Sequence, residues 1–437
     1  RTRAVLIGRR PVRCEPGRMD LGSVNRGGFL WTLALPTFAL ALAMSVLTTY
    51  APLLLGEATS SASAIGLAIG AEGLFALFLP LLVGSLSDRT STRLGRRLPY
   101  AALAAPLLVL PLVVLPFAGS YAQTFALVSL FYVGYFVYYP PYQALFAELV
   151  PASHQGRAQG AQGVMRGLGL GAALVVGGVF LSVWTPLPFV LAAAAFLLAT
   201  AALFREVRGR EDVGAPSAAA APGVLQLVRG RPDLRAFVLA NALWELSFMG
   251  LKTFIVLYVV KGLGESVGTA SAVIGVVAAA YVVASAAAGR LADRMGAIPL
   301  MRVALWVYGV GLLLGAGLSS LGPLVAGLPV VALAGAVVMT LPYVLLVRMT
   351  PAGAEGATSG LFSFSRALGA SLGPIVVGVS LDVLGPLFPA THGYGAMWLA
   401  VGLPILLSVP LLSRLERDEV EAAPAVPSAQ DELALAA

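Results

Sequence analysis

Twelve times along this chain, a run of apolar residues about as long as a bilayer is thick comes between short polar segments. A run of about twenty residues, coiled as a helix at about 1.5 Å per residue, spans the roughly 30 Å hydrocarbon core of a membrane. In that medium an unpaired backbone group costs several kcal/mol, so the runs must be helices that satisfy their own hydrogen bonds. They fall near 29–54, 62–86, 99–118, 122–148, 157–182 and 186–204, and again near 233–260, 268–291, 299–319, 322–349, 356–382 and 394–413. Composition agrees: of 437 residues, 58% are hydrophobic and only 11% charged, against about 25% charged in soluble domains. The expected architecture is an all-α membrane protein with twelve transmembrane helices in two six-helix bundles. These occupy 29–204 and 233–415, with polar tails at 1–28 and 416–437 and a linker at 205–232. The linker is Ala/Pro-rich between Gly214 and Gly223, which suits a flexible tether, and the acidic, then Ala/Pro-rich tail reads as disordered.

The charges orient the spans. Of the 28 basic residues, 24 fall on segments that an even number of crossings places beside the N-terminus, and Lys261 alone falls on the other side. The positive-inside bias therefore puts both termini in the cytoplasm of a multi-pass plasma (inner) membrane protein. Basic residues so dispersed over loops set topology and do not form a nucleic-acid footprint. The single cysteine, Cys14, rules out an internal disulfide. No His/Cys cluster, no Ser–His–Asp arrangement and no phosphate loop occurs, so no metal, cofactor or enzymatic activity is expected and ATP-driven transport is unsupported. The first apolar run is too long for a signal peptide, and Met19 is a plausible start of translation.

The loop between the second and third spans is dense in charge: Gly84-Ser-Leu-Ser-Asp88-Arg89-Thr-Ser-Thr-Arg93-Leu-Gly95-Arg96-Arg97-Leu-Pro99. Arginine at the bilayer centre costs about 2.5–3.5 kcal/mol, so this segment lies at a membrane face. Asp88 can accept hydrogen bonds from the arginines or from a helix N-terminus, which makes the loop a latch between helical units as well as an anchor. A weaker copy, Gly289-Arg-Leu-Ala-Asp293-Arg294, follows 205 residues later. Pro141-Tyr142 recurs as Pro342-Tyr343, Glu148-Leu-Val-Pro151 as Arg348-Met-Thr-Pro351, and Arg166-Gly-Leu-Gly169 as Arg366-Ala-Leu-Gly369. Four blocks in one order at offsets of 200–205 argue for a duplicated six-helix unit.

Together, the charged loop and the duplication resemble the major facilitator superfamily. The G-x-x-S-D-R start and R-x-G-R-R-x-P ending are most similar to its sugar/cation symporter branch, the glycoside–pentoside–hexuronide and sucrose carriers. Pro141-Tyr142-Gln143-Ala-Leu-Phe-Ala-Glu148-Leu149 resembles that branch's P-x-R-A-L-x-A-D-L, with Gln143 in place of the arginine and Glu148 in place of the aspartate. Arg166 resembles an arginine of the same branch on its fifth helix. The eighth span lacks the acid of plant sucrose carriers, so the resemblance does not carry over a substrate. It implies a monomeric secondary transporter whose small-molecule site lies between the bundles.

Charges buried in the spans are the candidate machinery. Glu72 lies mid-span, where a carboxylate must be protonated, paired or wetted; it is either a proton site or a carboxyl held neutral in the bundle. Glu245 and Lys252 share a face of the seventh span two turns apart, and Glu245 can bind a proton or a hydroxyl. Lys252 either faces the cavity or snorkels outward. Arg166 and Arg366 occupy equivalent places toward the cytoplasmic ends of spans five and eleven, with Glu148 a candidate partner for Arg166. With Asp88, Arg89, Arg93, Arg97, Asp293 and Arg294 they would form either a cytoplasmic gate or static packing pairs. Phe131, Tyr135, Tyr138 and Tyr142 recur at helical spacing, flanked by Tyr132 and Tyr139. This stripe, with Gln143 and Trp244, is either a sugar-stacking wall or core packing. Gly160, Gly163, Gly167 and Gly171 have the spacing of close interhelical packing. These features predict proton- or sodium-coupled transport, foremost proton-coupled sugar or glycoside symport. Proton-coupled efflux of a drug or small amphiphile is the alternative.

Overall fold

The computed structural model describes residues 28–92, 94–150, 154–208, 229, 231–350 and 355–422. Among these, twelve long helices follow one another: α1 Gly28–Ala58, α2 Ala62–Arg89, α3 Leu98–Val114, α4 Tyr121–Leu149, α5 Gln155–Val183 and α6 Leu187–Val207. The second set is α7 Pro232–Leu257, α8 Val267–Met295, α9 Ala297–Leu314, α10 Leu321–Thr340, α11 Glu355–Leu384 and α12 Ala396–Ala422, with Pro342–Met349 a short continuation of α10. Ten have the length and apolarity to cross a membrane, while α8 and α12 hold shorter apolar stretches, Val267–Tyr281 and Ala396–Leu412. Of the expected linker only 205–208, 229 and 231–232 are described; the tail expected to be disordered from 416 continues α12 as helix to Ala422, and 1–27 and 423–437 lie outside the described residues.

Polar residues punctuate the apolar runs. Ser61, Ser120 and Ser266 each cap a helix, accepting from the backbone N–H three residues on. Gly95 (φ +100°) and Gly296 (φ +85°) hold the left-handed turns that lead into α3 and α9, at matching points of the two halves. Outward, the helices present bare hydrocarbon: Leu81 is 76% exposed, Leu198 72% and Phe78 70%. In water such a girdle would drive aggregation; in a bilayer it is the lipid-facing surface.

Helices α1–α6 pack largely among themselves, as do α7–α12, and the two sets meet chiefly through α2 on α11 and α5 on α8. The same joint recurs inside each set. Gly169 of α5 presses on Phe38, Ala41 and Leu42 of α1, and Gly369 of α11 presses on Ala242, Glu245 and Leu246 of α7.

The contacts between the sets are one-sided. Call the side carrying Asp88–Arg97 the basic face. On the opposite face, Gly66, Gly70 and Gly73 bring α2 so near α11 that a Cβ would strike the carbonyls of Pro374, Ser371 and Ala367. Asp382 of α11 then closes the seam at its rim: it accepts from the Ala62 N–H at 2.8 Å, the Ser63 N–H at 2.9 Å and the Ser61 hydroxyl at 3.0 Å. A carboxylate on three donors at the start of a helix also meets the positive end of its dipole. Its opposite number is Lys261, carried on the π-helical turn Tyr258–Gly262, whose Nζ donates to the Gly56 carbonyl in the last turn of α1 at 2.7 Å. Between α5 and α8, Gly178 lies against Ser271 and Val267, and the Tyr50 hydroxyl of α1 bonds both the Ala173 carbonyl of α5 at 3.0 Å and the Ser271 hydroxyl of α8 at 3.3 Å.

Toward the basic face the seam parts. Gly160, Gly163, Gly167 and Gly171 of α5, expected from their spacing to pack on a neighbour, have no atom within 4 Å of where a Cβ would stand. Glycines that do weld helices include Gly66, Gly70 and Gly73 on α2, Gly169 and Gly178 on α5, and Gly369, Gly373 and Gly378 on α11. Helical spacing identified a smooth face on α5 but could not show that the face borders a cleft.

This asymmetry makes the Asp382 cap testable. In a C14S background, Ser271→Cys places a thiol at the closed α5–α8 joint, where Ser271 is 2% exposed. Adding Asp382→Asn removes the charge at the other joint and should raise the alkylation rate of that thiol several-fold, by about the factor that roughly 1 kcal/mol supplies. Equal rates in the two proteins would mean that the cap does not hold the face shut.

Candidate functional site

Two charged assemblies occupy the region between the closed seam and the basic face. The first is the loop at the basic face, with Arg97 at its hub. Arg97 is 6% exposed at the start of α3 and bonds Asp88 at 2.7 Å, Glu148 at 2.6 Å and the Ser87 hydroxyl. Burial alone would lower the pKa of the guanidinium; hydrogen bonds and negative charge from Glu148 and Asp88 outweigh it and raise the pKa, so the charge is retained. Arg96 donates to the Asp88 carbonyl at 2.6 Å, which closes the turn. The cluster ties the end of α2 to the start of α3 and the end of α4, all within the first six helices.

This corrects one expectation: Glu148 serves Arg97, and not Arg166. Arg89 and Arg294 are exposed, Arg93 lies outside the described residues, and of Asp293 the backbone alone is described. Among the described residues, the contacts of Arg97 with Asp88 and Glu148 brace one half.

The second assembly lies deeper, where the closed seam ends. Glu245 of α7, 6% exposed, accepts from Arg366 Nε of α11 at 2.6 Å, while the Arg366 guanidinium also lies 5.7 Å from the centre of the Phe362 ring. Sequence spacing put Glu245 and Lys252 on one face of a helix two turns apart; the partner of Glu245 comes from α11, through the joint at Gly369. Glu72 lies one residue before Gly73, the last glycine of the α2–α11 seam, and its Oε2 is buried without a hydrogen-bond partner. The charges of Lys252, Arg366 and Glu245 act on Glu72 across the boundary between the halves. Lys252 is half-buried, and no described residue hydrogen-bonds it. Arg166 is exposed on α5 beside the open glycines, also without an ion-pair partner among the described residues.

The aromatic stripe divides. Tyr132 donates to the Ile69 carbonyl, Tyr138 bonds Thr200, Tyr142 bonds Thr37 and the Leu33 carbonyl, and Trp244 donates to Ser408. All four are at most 1% exposed, as is Phe131, so these expected cavity residues are walled into the bundle. Tyr135 and Tyr139 remain half-buried and stack at 5.5 Å with an 11° tilt. Gln143 accepts from the Gln162 side chain at 3.0 Å, an amide pair between α4 and α5 that sequence reading did not anticipate. A hydroxyl partner on a neighbouring helix decides whether a tyrosine faces inward or is buried, and no single-helix pattern contains that information.

An arginine shared by two carboxylates gives a ranked outcome. Arg97→Ala strands Glu148 and Ser87 and should cost about 2–3 kcal/mol. Asp88→Asn, at a site 53% exposed, should cost less than about 1 kcal/mol. Thermal unfolding in detergent reads the order directly; an Asp88→Asn variant as unstable as Arg97→Ala would put the hub at the aspartate.

Comparison with known proteins follows from this geometry. The sequence profile of the Major Facilitator Superfamily matches residues 33–374 and 237–435. No curated protein matches the chain by sequence. Among solved structures, a bacterial homolog to the human lysosomal transporter Spinster, inward-facing and unoccupied, superposes with a TM-score of 0.75 at 17% identity, covering 91% of this chain and 98% of that one. The nucleoside transporter NupG gives 0.72 at 14% identity (88% and 98%), and the POT family transporter PepTSo gives 0.72 at 13% (90% and 99%). Identities this low speak for a shared fold alone.

Proposed function

The chain belongs to the Major Facilitator Superfamily, and from that premise we propose a proton-coupled transporter working by alternating access between its two six-helix bundles. Membership makes it a multi-pass membrane transporter of small molecules and not an enzyme. The coupling ion, the direction and the cargo are the proposal's own.

The observation that carries the proposal is the position of Glu72. Its carboxyl sits where the sealed seam meets the open cleft, in the field of two cations and one further acid, and with an oxygen that no described protein group satisfies. A carboxyl at such a boundary is dry while the seam is shut and meets water when the halves rock apart. Glu245 is committed to Arg366 and serves as the structural acid. With the basic face placed in the cytoplasm by the 24-to-1 distribution of basic residues, the conformation described above is open inward.

For the cargo, the charged loop supports the sugar/cation symporter branch, and the stacked tyrosines Tyr135 and Tyr139 give a ring face against which a sugar's C–H groups can pack. Efflux of a small amphiphile stays as the second reading, favoured by the largely apolar walls of the helices.

Two measurements bear on this. Glu72→Gln, in proteoliposomes with an imposed proton gradient, should abolish accumulation and leave exchange of substrate across the membrane intact. Accumulation at the wild-type level would remove Glu72 from coupling and advance sodium-driven or uncoupled transport. The second concerns the open glycines: Gly163→Leu and Gly167→Leu have room in this conformation, and a state in which α5 meets α8 at the basic face would have none. Both should fold with an unchanged melting temperature and lose transport by about ten-fold or more, since overpacking costs about 1–3 kcal/mol. Full transport in both would exclude closure along that face.

A further inference from the structure

The duplicated halves differ at one point that bears on the cargo. Arg166 and Arg366 stand 200 residues apart, each three residues before the glycine, Gly169 or Gly369, that seats its helix on α1 or α7. Under Gly369 the facing residue is Glu245, and it neutralises Arg366 at 2.6 Å. Under Gly169 the corresponding contact is Ala41. The same joint therefore supplies a carboxylate in the second half and a methyl group in the first. Arg166 is exposed beside Gly163 and Gly167, open to the cleft, and no described residue pairs with it. A guanidinium within the length of a membrane-spanning helix is retained at a cost unless an anion or water meets it.

We propose that Arg166 is the docking point for an anionic oxyacid group on the cargo, a carboxylate or a phosphate, filling the place that Glu245 fills at Arg366. This rests on the transporter reading given above and narrows its substrate class from a neutral sugar to an acidic, hydroxylated molecule. The guanidinium fork takes either group through two parallel N–H···O bonds. Charge balance in the cleft agrees. Arg366 is paired with Glu245, and the opposite charges of Glu72 and Lys252 act on one another, whereas no described carboxylate pairs with Arg166. When Glu72 carries a proton, Lys252 is released as a second cation, so protonation on α2 raises the cleft's attraction for an anion. The charges of Glu72 and Arg166 both act on Tyr135, which places proton site and anion site around one residue. The stacked Tyr135–Tyr139 faces then border the body of the cargo, and half-buried Gln143, held by the buried Gln162 amide one turn from Arg166, can offer its own amide N–H groups.

The test uses purified full-length protein at constant ionic strength, with glucuronate, inorganic phosphate and glucose as probes and chloride as control, scored by thermal stabilisation. Either glucuronate or phosphate should stabilise the wild type beyond chloride and glucose, and the response to each separates a carboxylate from a phosphate site. Arg166→Gln should weaken that binding by about ten-fold or more, and Arg166→Lys should keep part of it. Ala41→Glu is the decisive variant: it rebuilds the Glu245–Arg366 pair in the first half, so the protein should fold at least as stably and no longer respond to the anion. Stabilisation by neither anion, or stabilisation that survives Arg166→Gln in folded protein, overturns the proposal. Because binding is read without flux, a wild type that binds the anion through Arg166 yet shows no proton-driven uptake or release would count against the transport mechanism and leave the site standing.

Discussion

Inside a bilayer a charge must find its opposite, and the arrangement of this protein turns on how far each charge has done so. Glu245 and Arg366 are fully matched, so their pair can hold α7 to α11 as a permanent joint. Arg97 is matched twice over at the rim, so the basic loop is a brace. Glu72 and Lys252, close to the boundary between the halves, act on each other's charge without an ion pair among the described residues, and exposed Arg166 has no partner among them. Scaffold and machinery are thus separated by one criterion, whether the protein supplies the counter-charge or leaves it to a proton or a bound molecule.

That criterion also explains what could be read from sequence. All twelve helices were legible, ten of them as full membrane spans, because hydrocarbon thickness imposes a length that no tertiary contact overrides, and most began and ended close to the expected residues. The duplication was legible as repeated motifs, and the structure realises it in paired features such as the turns at Gly95 and Gly296. What faces what was not legible. Gly160, Gly163, Gly167 and Gly171 carry a packing pattern yet border open space, while Gly66, Gly70 and Gly73, on a helix singled out for its acid, carry the actual seam. Tyr132, Tyr138 and Tyr142 share helical periodicity with Tyr135, but each finds a bonding partner on another helix and is buried. Glu148 found Arg97 across 51 residues, a distance that no local spacing rule covers.

Duplication, in turn, supplies a control within one molecule. Two copies of the joint between a first and a fifth helix share glycine and arginine, so backbone geometry is nearly held constant while one side chain changes from Glu245 to Ala41. A difference of that kind is easier to interpret than a lone arginine, because the first half shows the arginine as it stands when its acid is missing. The two halves then differ in one physical respect: Glu245 neutralises the arginine of the second joint, and Ala41 stands at the matching place in the first.

The caps on the closed face have a consequence for kinetics. Neither Asp382 nor Lys261 pairs with an opposite charge across the seam; each rests on backbone groups at a helix end near the membrane surface. When the seam parts, water can take over those hydrogen bonds at once, so little bonding enthalpy need be lost before the gap is wide enough to pass a solute. The slow event is then the entry of water between the apolar edges of α2 and α11, a nucleation problem governed by surface tension and gap width. Opening of this kind is all-or-none, which suits a carrier that must never leave a continuous file of water from one side to the other.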